Sequence, residues 1–199
     1  MFPLGSVLFP GTGVPLHVFE PRYRQLVQDC LAGDRRFGVV LIERGSEVGG
    51  GDLRTDVGTL AEIVQAQQFD DGRWGVGAIG VGRIRVVRWL PDDPYPLAEI
   101  EELPDEDDLD APAEALERVL PTLRTVLALA AELGIAAPPA TIELDPDPTV
   151  ALAQAAAVAP LGSFDRQRLL VAAGPGARTR LLAELLADQE ELLRAQLSA

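Results

Sequence analysis

Two periodicities of apolar residues divide this chain. Up to about residue 108 the apolar residues come in short runs, alternating with polar ones and punctuated by glycine, which is the pattern of strands and turns. Beyond that point alanine and leucine recur three and four positions apart, the spacing of helices that bury one face. The expected organisation is a β-rich unit over 1–108 and a helical unit over 109–199.

In the first unit the runs predict strands at Val7–Phe9, Val14–Val18, Phe37–Glu43, Val57–Gln67, Trp74–Ile79, Arg83–Leu90 and Leu97–Leu103. Phe37–Glu43 is apolar without alternation, as in a strand covered on both faces. Pro10-Gly11-Thr12-Gly13 predicts a tight reversal, and Asp71-Gly72 a hairpin turn. Gly75-Val76-Gly77 and Gly80-Val81-Gly82 read as hairpin and bulge positions, with 80–82 separating two strands. The alternation slips near Val87, which predicts a bulge. Pro15 fits only an edge strand or a strand start. One helix interrupts the strands. Pro21 suits its first position, Tyr23, Leu26, Val27, Cys30 and Leu31 mark its apolar face, and Gly33 predicts a left-handed residue past its end. Arg44–Gly51 reads as a polar loop or hairpin tip.

In the second unit Leu116, Val119, Leu120, Leu123, Val126, Leu127 and Ala130 mark a helix that Pro121 kinks or restarts. Asp147-Pro148 reads as a cap and a first-turn proline opening a helix over Thr149–Ala159. A short helix follows at Asp165–Ala173. A long one over Ala177–Leu197 carries Leu181, Leu182, Leu185, Leu186, Leu192, Leu193 and Leu197 as a broad stripe, expected to be bundle core.

Composition narrows the chemistry. The chain has 17 arginines, no lysine and 31 acidic residues, for a net charge of −14. That balance opposes general affinity for nucleic acid, which needs cations to displace counterions, and for anionic membranes. Glu99–Asp110 concentrates the acidity and reads as a solvated linker. Without lysine no phosphate-binding Walker A loop, Ser-Lys dyad or Schiff base can form. One histidine, His17, and one cysteine, Cys30, exclude an internal disulfide and a Cys/His metal cluster, and no cofactor is expected. Cys30 falls on the apolar helix face, as a small hydrophobe would. The glycines of 75–82 precede a strand, whereas a phosphate cradle needs a helix. No basic leader or long apolar run is present, so the expected compartment is the cytoplasm.

Several segments carry a family likeness. Phe2-Pro3-Leu4, Val7-Leu8-Phe9-Pro10-Gly11 and Val14-Pro15-Leu16-His17-Val18-Phe19-Glu20-Pro21-Arg22-Tyr23 open the chain. Val57-Gly58-Thr59-Leu60-Ala61-Glu62-Ile63, Asp71-Gly72-Arg73, Gly82-Arg83-Ile84-Arg85, Pro160-Leu161, Arg166-Gln167-Arg168-Leu169-Leu170 and Arg180-Leu181-Leu182 follow in order. Together these resemble the amino-terminal, substrate-recognising domain of Lon-type proteases, over nearly the whole chain. The resemblance implies an α+β fold: a PUA-like pseudo-barrel of mostly antiparallel strands, then a helical bundle with a long C-terminal helix. It also implies recognition of unfolded or exposed peptide segments, with a separate protease or chaperone as the onward partner. In Lon that domain serves an ATPase and a Ser-Lys protease; this lysine-free chain ends at Ala199, so no enzyme is expected in it.

Peptide could add to an exposed β edge or lie in an apolar groove. The residues expected to bind it are Pro10, His17, Phe19, Arg22 and Tyr23, with Trp74 and Trp89 as aromatic anchors. The alternative is an RNA-binding PUA-like module, in which Arg83, Arg85 and Arg88 would form a local basic stripe.

Overall fold

The computed structural model describes residues 1–44, 53–106 and 111–198. The loop expected beyond Arg44 and the far end of the acidic segment lie outside them. The chain divides into two compact units, Met1–Pro104 and Asp105–Ala199.

Among the described residues the first unit is a six-stranded mixed sheet with one helix. Its elements are β1 (Phe2–Leu4), β2 (Gly13–Val18), α1 (Pro21–Ala32), β3 (Arg36–Arg44), β4 (Leu53–Gln68), β5 (Trp74–Leu90) and β6 (Leu97–Glu102). The strand order is β1-β3-β4-β5-β2, with β6 also on β5. Among the described strands β1 and β3 pair in parallel and the other pairs are antiparallel. The 17-residue β5 carries β2 beside Trp74–Ile79 and β6 beside Ile84–Leu90. The sheet is not closed: β1 ends it on one side and β2 on the other.

Apolar side chains cover both faces. Phe2, Val18, Tyr23, Leu26, Phe37 and Ile63 belong to a large core between sheet and α1. Met1, Val40, Ile84 and Val86 form a smaller one. β3 feeds both, through Phe37 and Val39 on one side and Val40 on the other, so its apolar run does not alternate. The Asp71-Gly72 turn is present, with Gly72 at φ 81°, and so is the bulge, where the β5–β6 register shifts between Val86 and Arg88.

Three expectations fail for local reasons. Val7–Phe9 is not a strand. Its main-chain acceptors are taken individually: Thr59 Oγ1 donates to the Leu8 carbonyl at 2.6 Å, and Thr12 donates to that of Phe9. The strand lies earlier, at Phe2–Leu4, where Pro3 is tolerated on an edge. Gly80-Val81-Gly82 does not break β5 either. Gly80 is a point of close approach: its N–H donates to the Thr12 carbonyl at 2.9 Å and its carbonyl accepts from Gly11 at 2.8 Å. Finally, the left-handed residue after α1 is Arg35 (φ 65°), not Gly33 (φ −109°). The chain turns two residues later than read, where Arg35 N–H donates to Cys30 and its guanidinium to the Ile63 carbonyl.

The second unit consists of α2 (Pro112–Glu132), α3 (Pro148–Val158), α4 (Ser163–Val171) and α5 (Pro175–Leu197). α2 is continuous through Pro121, which does not restart it. Asp147 caps α3 through its carboxylate, which accepts from the Thr149 and Val150 amides. α2 packs on α3 and α5. Strands first, helices after, and the longest helix last is the order that the resemblance implies.

Candidate functional site

Val14, Leu16 and Val18 alternate along β2 with Gly13, Pro15 and His17. The first set turns toward the core and the second is exposed. Beyond β2, Phe19 and Glu20 lead into α1, whose first turn delivers Tyr23 to the core. On the far side stands β1. A groove of about 250 Å³ is lined by residues of both β1 and β2, the two ends of the sheet.

Its apolar floor is made by Phe2, Leu4, Val18 and Tyr23, all buried. The Phe2 and Tyr23 rings stack at 4.3 Å with 12° between their planes. Val14 and Leu16 form a half-buried wall, and Pro15, His17 and Phe19 an exposed rim. Phe19 is 51% exposed, more than any other phenylalanine of this unit. Phe69 extends the rim: its ring meets that of His17 edge-on at 6.1 Å, and Phe19 lies 6.5 Å from His17 on the other side. The groove is nearly uncharged. Glu20 is tied to Arg22 at 3.1 Å, and that guanidinium lies over the Tyr23 ring at 4.6 Å.

Of the residues singled out from sequence, the structure gathers His17, Phe19 and Tyr23 in this groove; Arg22 does not line it but pairs with Glu20, which does. Trp74 is paired across from Val18 and packs against the large core. Pro10 sits in the turn where Gly11 takes φ 77° and Thr12 N–H returns to Phe9 O, a type II geometry with proline and glycine in their usual places. Trp89 packs against the smaller core with Arg54 over its ring at 4.6 Å. Phe2, Leu4 and Phe69 are additions. Phe69 was in principle findable: a hairpin on Asp71-Gly72 pairs Gln68 with Trp74, and the missing side chain of Gly75 leaves room for the Phe69 ring.

The chemistry of this unit is sparse. Burial pushes the Cys30 thiol up to about 11, and its Sγ donates to the Arg36 carbonyl at 3.2 Å, the state of a packed rather than a nucleophilic cysteine. Among the described residues no group of three His, Cys, Asp or Glu could hold a metal. No described helix is long and apolar enough to cross a membrane. The expected basic stripe is spent internally: Arg85 pairs with Glu101 at 3.1 Å, Arg88 with Glu99, and Arg83 is buried with its guanidinium on the Pro104 carbonyl.

A family model described as the ATP-dependent protease La (LON) substrate-binding domain matches residues 1–188. Lon protease 2 of Sorangium cellulosum is 32% identical over 203 residues, covering 96% of this chain and 24% of that protein. Lon protease of Anaeromyxobacter dehalogenans is 31% identical over 193 residues, covering 95% and 23%. The chain thus spans about a quarter of the length of the Lon proteases it matches. Among solved structures, a Lon N-terminal domain protein from Xanthomonas campestris aligns with TM-score 0.62 at 33% identity, over 94% of this chain and 95% of that one. The N-terminal domain of a Mycobacterium avium complex Lon protease aligns at 0.58 and 17% identity, covering 94% and 97%, a likeness of fold alone.

Proposed function

This chain belongs to the LON substrate-binding domain family, and from that premise we propose that it is a non-catalytic module that binds unfolded or exposed segments of other proteins. The observation that carries the reading is the β1–β2 groove. Buried aromatic and aliphatic side chains form its floor, exposed rings of His17 and Phe19 form its rim, and the Phe69 ring packs edge-on against His17. Aromatic side chains at a solvent-facing patch supply large contact area at small entropic cost. A volume of about 250 Å³ lies below the range of small-molecule pockets, roughly 300–1,000 Å³, but suits one or two side chains of a longer ligand. The absence of lysine supports a role without ATPase or Ser-Lys chemistry. Such a module acts in the cytoplasm and hands its clients to a separate protease or chaperone.

The test is fluorescence anisotropy with a labelled, reduced and alkylated polypeptide that cannot fold. Saturable binding at tens of micromolar or tighter is expected, with a loss of tenfold or more in a Phe19→Ser/Phe69→Ser variant. No saturable signal from the parent protein would end this reading.

A further inference from the structure

The groove has a main-chain side as well as an apolar one. Gly80 N–H donates to the Thr12 carbonyl, so Thr12 and Gly80 face each other as a hydrogen-bonded pair. The β2–β5 register continues from them through Gly13↔Ile79 to Val18↔Trp74. Bonded and non-bonded pairs alternate along an antiparallel ladder. Val14, Leu16 and Val18 therefore bond to β5, while the amides and carbonyls of Gly13, Pro15 and His17 point away from it. Pro15 stands where its missing N–H costs the ladder nothing. Among the described residues no strand pairs with this outer edge. Across the groove lies β1, the opposite end of the same open sheet.

We propose that the groove takes an extended polypeptide segment as an added β-strand, bonded to the outer edge of β2 at Gly13, Pro15 and His17 and filling the opening between β2 and β1. The proposal rests on the reading of the chain as a peptide-binding module and names the binding mode. Side chains of an added strand alternate between faces. Those on the core side meet Phe2, Leu4 and Tyr23; those on the outer side pass the His17 and Phe19 rings. Main-chain bonds tolerate varied sequence, so the specificity is coarse: an apolar residue at alternate positions and no proline opposite Gly13, Pro15 or His17, whose outward carbonyls each need a donor. Charge selects further. Glu20 is already neutralised by Arg22, and the chain carries −14 overall, so neutral or basic segments are favoured over acidic ones.

The probe is a fluorescein-labelled peptide of alternating valine and threonine flanked by arginines, with a twin whose alternate amides are N-methylated. The twin is expected to bind at least tenfold more weakly, and a glutamate-flanked version also more weakly. Pro15→Val restores a donor at the edge and is expected to tighten the unmethylated peptide severalfold and the twin not at all. His17→Pro removes a donor and should weaken it. If the unfoldable polypeptide binds but the two peptides bind equally, or Pro15→Val changes nothing, strand addition is wrong while the binding module stands. If neither polypeptide nor peptide binds, both fall together.

Discussion

A Cβ at Gly80 would lie 2.4 Å from the carbonyl oxygen of Phe9. The obstacle is backbone, held by the turn at Pro10-Gly11 and by the buried Phe9 ring, so it cannot swing aside. Gly80→Ala is expected to cost about 1–3 kcal/mol, as overpacked sites do. Gly82→Ala, where an added Cβ meets nothing within 4 Å, should stay within about 0.5 kcal/mol of the parent. Urea denaturation of the two variants checks the difference.

That contrast marks how far the sequence could be read. Gly80 and Gly82 look alike in a Gly-Val-Gly run, and nothing local says that one touches another loop. Alternation located β2, β4, β6 and the two halves of β5, an unbroken apolar run located β3, and the bulge was found because Arg88 breaks step. It missed β1, since a three-residue strand containing Pro3 has no period to detect. In the candidate groove, His17, Phe19 and Tyr23 are the lining residues that the family pattern and their ring chemistry had singled out. Phe2 and Leu4 were not, because the order that puts β1 and β2 at opposite ends of one sheet is a property of topology.

The leucine stripe of α5 makes a second prediction. Periodicity alone treats Leu186 and Leu192 as equals, yet the first is fully buried and the second 52% exposed. Leu186→Ala is expected to cost about 2–5 kcal/mol, and Leu192→Ala less than about 0.5 kcal/mol. Thermal unfolding followed by circular dichroism separates them; equal losses would mean that Leu192 is covered in solution.

Cys30 should be a poor nucleophile. Burial raises its pKa to about 11 against the thiol's ordinary 9, with Asp34 and Asp29 adding to the rise and the N-terminal ammonium opposing it. Reaction with a disulfide reagent at pH 8 is expected to be slow in the folded protein and fast in denaturant. A rapid reaction without denaturant would show that the thiol is open to solvent.

Tyr95 links Asp29 to alkaline stability. Burial first, then the hydrogen bond to Asp29 Oδ2 at 2.8 Å, push its phenol up to about 12 from 10. A pKa raised on folding stabilises the fold fully below the unfolded value, and the contribution disappears as pH rises through the folded one. Stability from this group is therefore intact below about pH 10 and lost toward 12. In a Tyr23→Phe background, where Tyr95 is the only phenol, phenolate absorbance should rise late, and Asp29→Asn should bring that rise to lower pH. Coincident titrations would remove Asp29 from the account.

The paired arginines of β5 predict the outcome with RNA. Arg85 and Arg88 are exposed but each is matched by a glutamate of β6, so a phosphate must compete with a carboxylate already in place. Retention of single-stranded RNA by the parent protein is expected to be negligible at about 50 mM salt, where phosphate contacts are at their strongest. A Glu99→Gln/Glu101→Gln variant frees both guanidinium groups. Exposed ion pairs contribute about 0–1 kcal/mol each, so the fold should survive the change and the readout remains binding. Two new phosphate contacts on a single strand should give a salt slope of about −1.4 in log K against log salt. Firm retention by the unmodified protein would instead mean that Glu99 and Glu101 yield to phosphate, and the pairing seen across β5 and β6 would no longer count against nucleic acid.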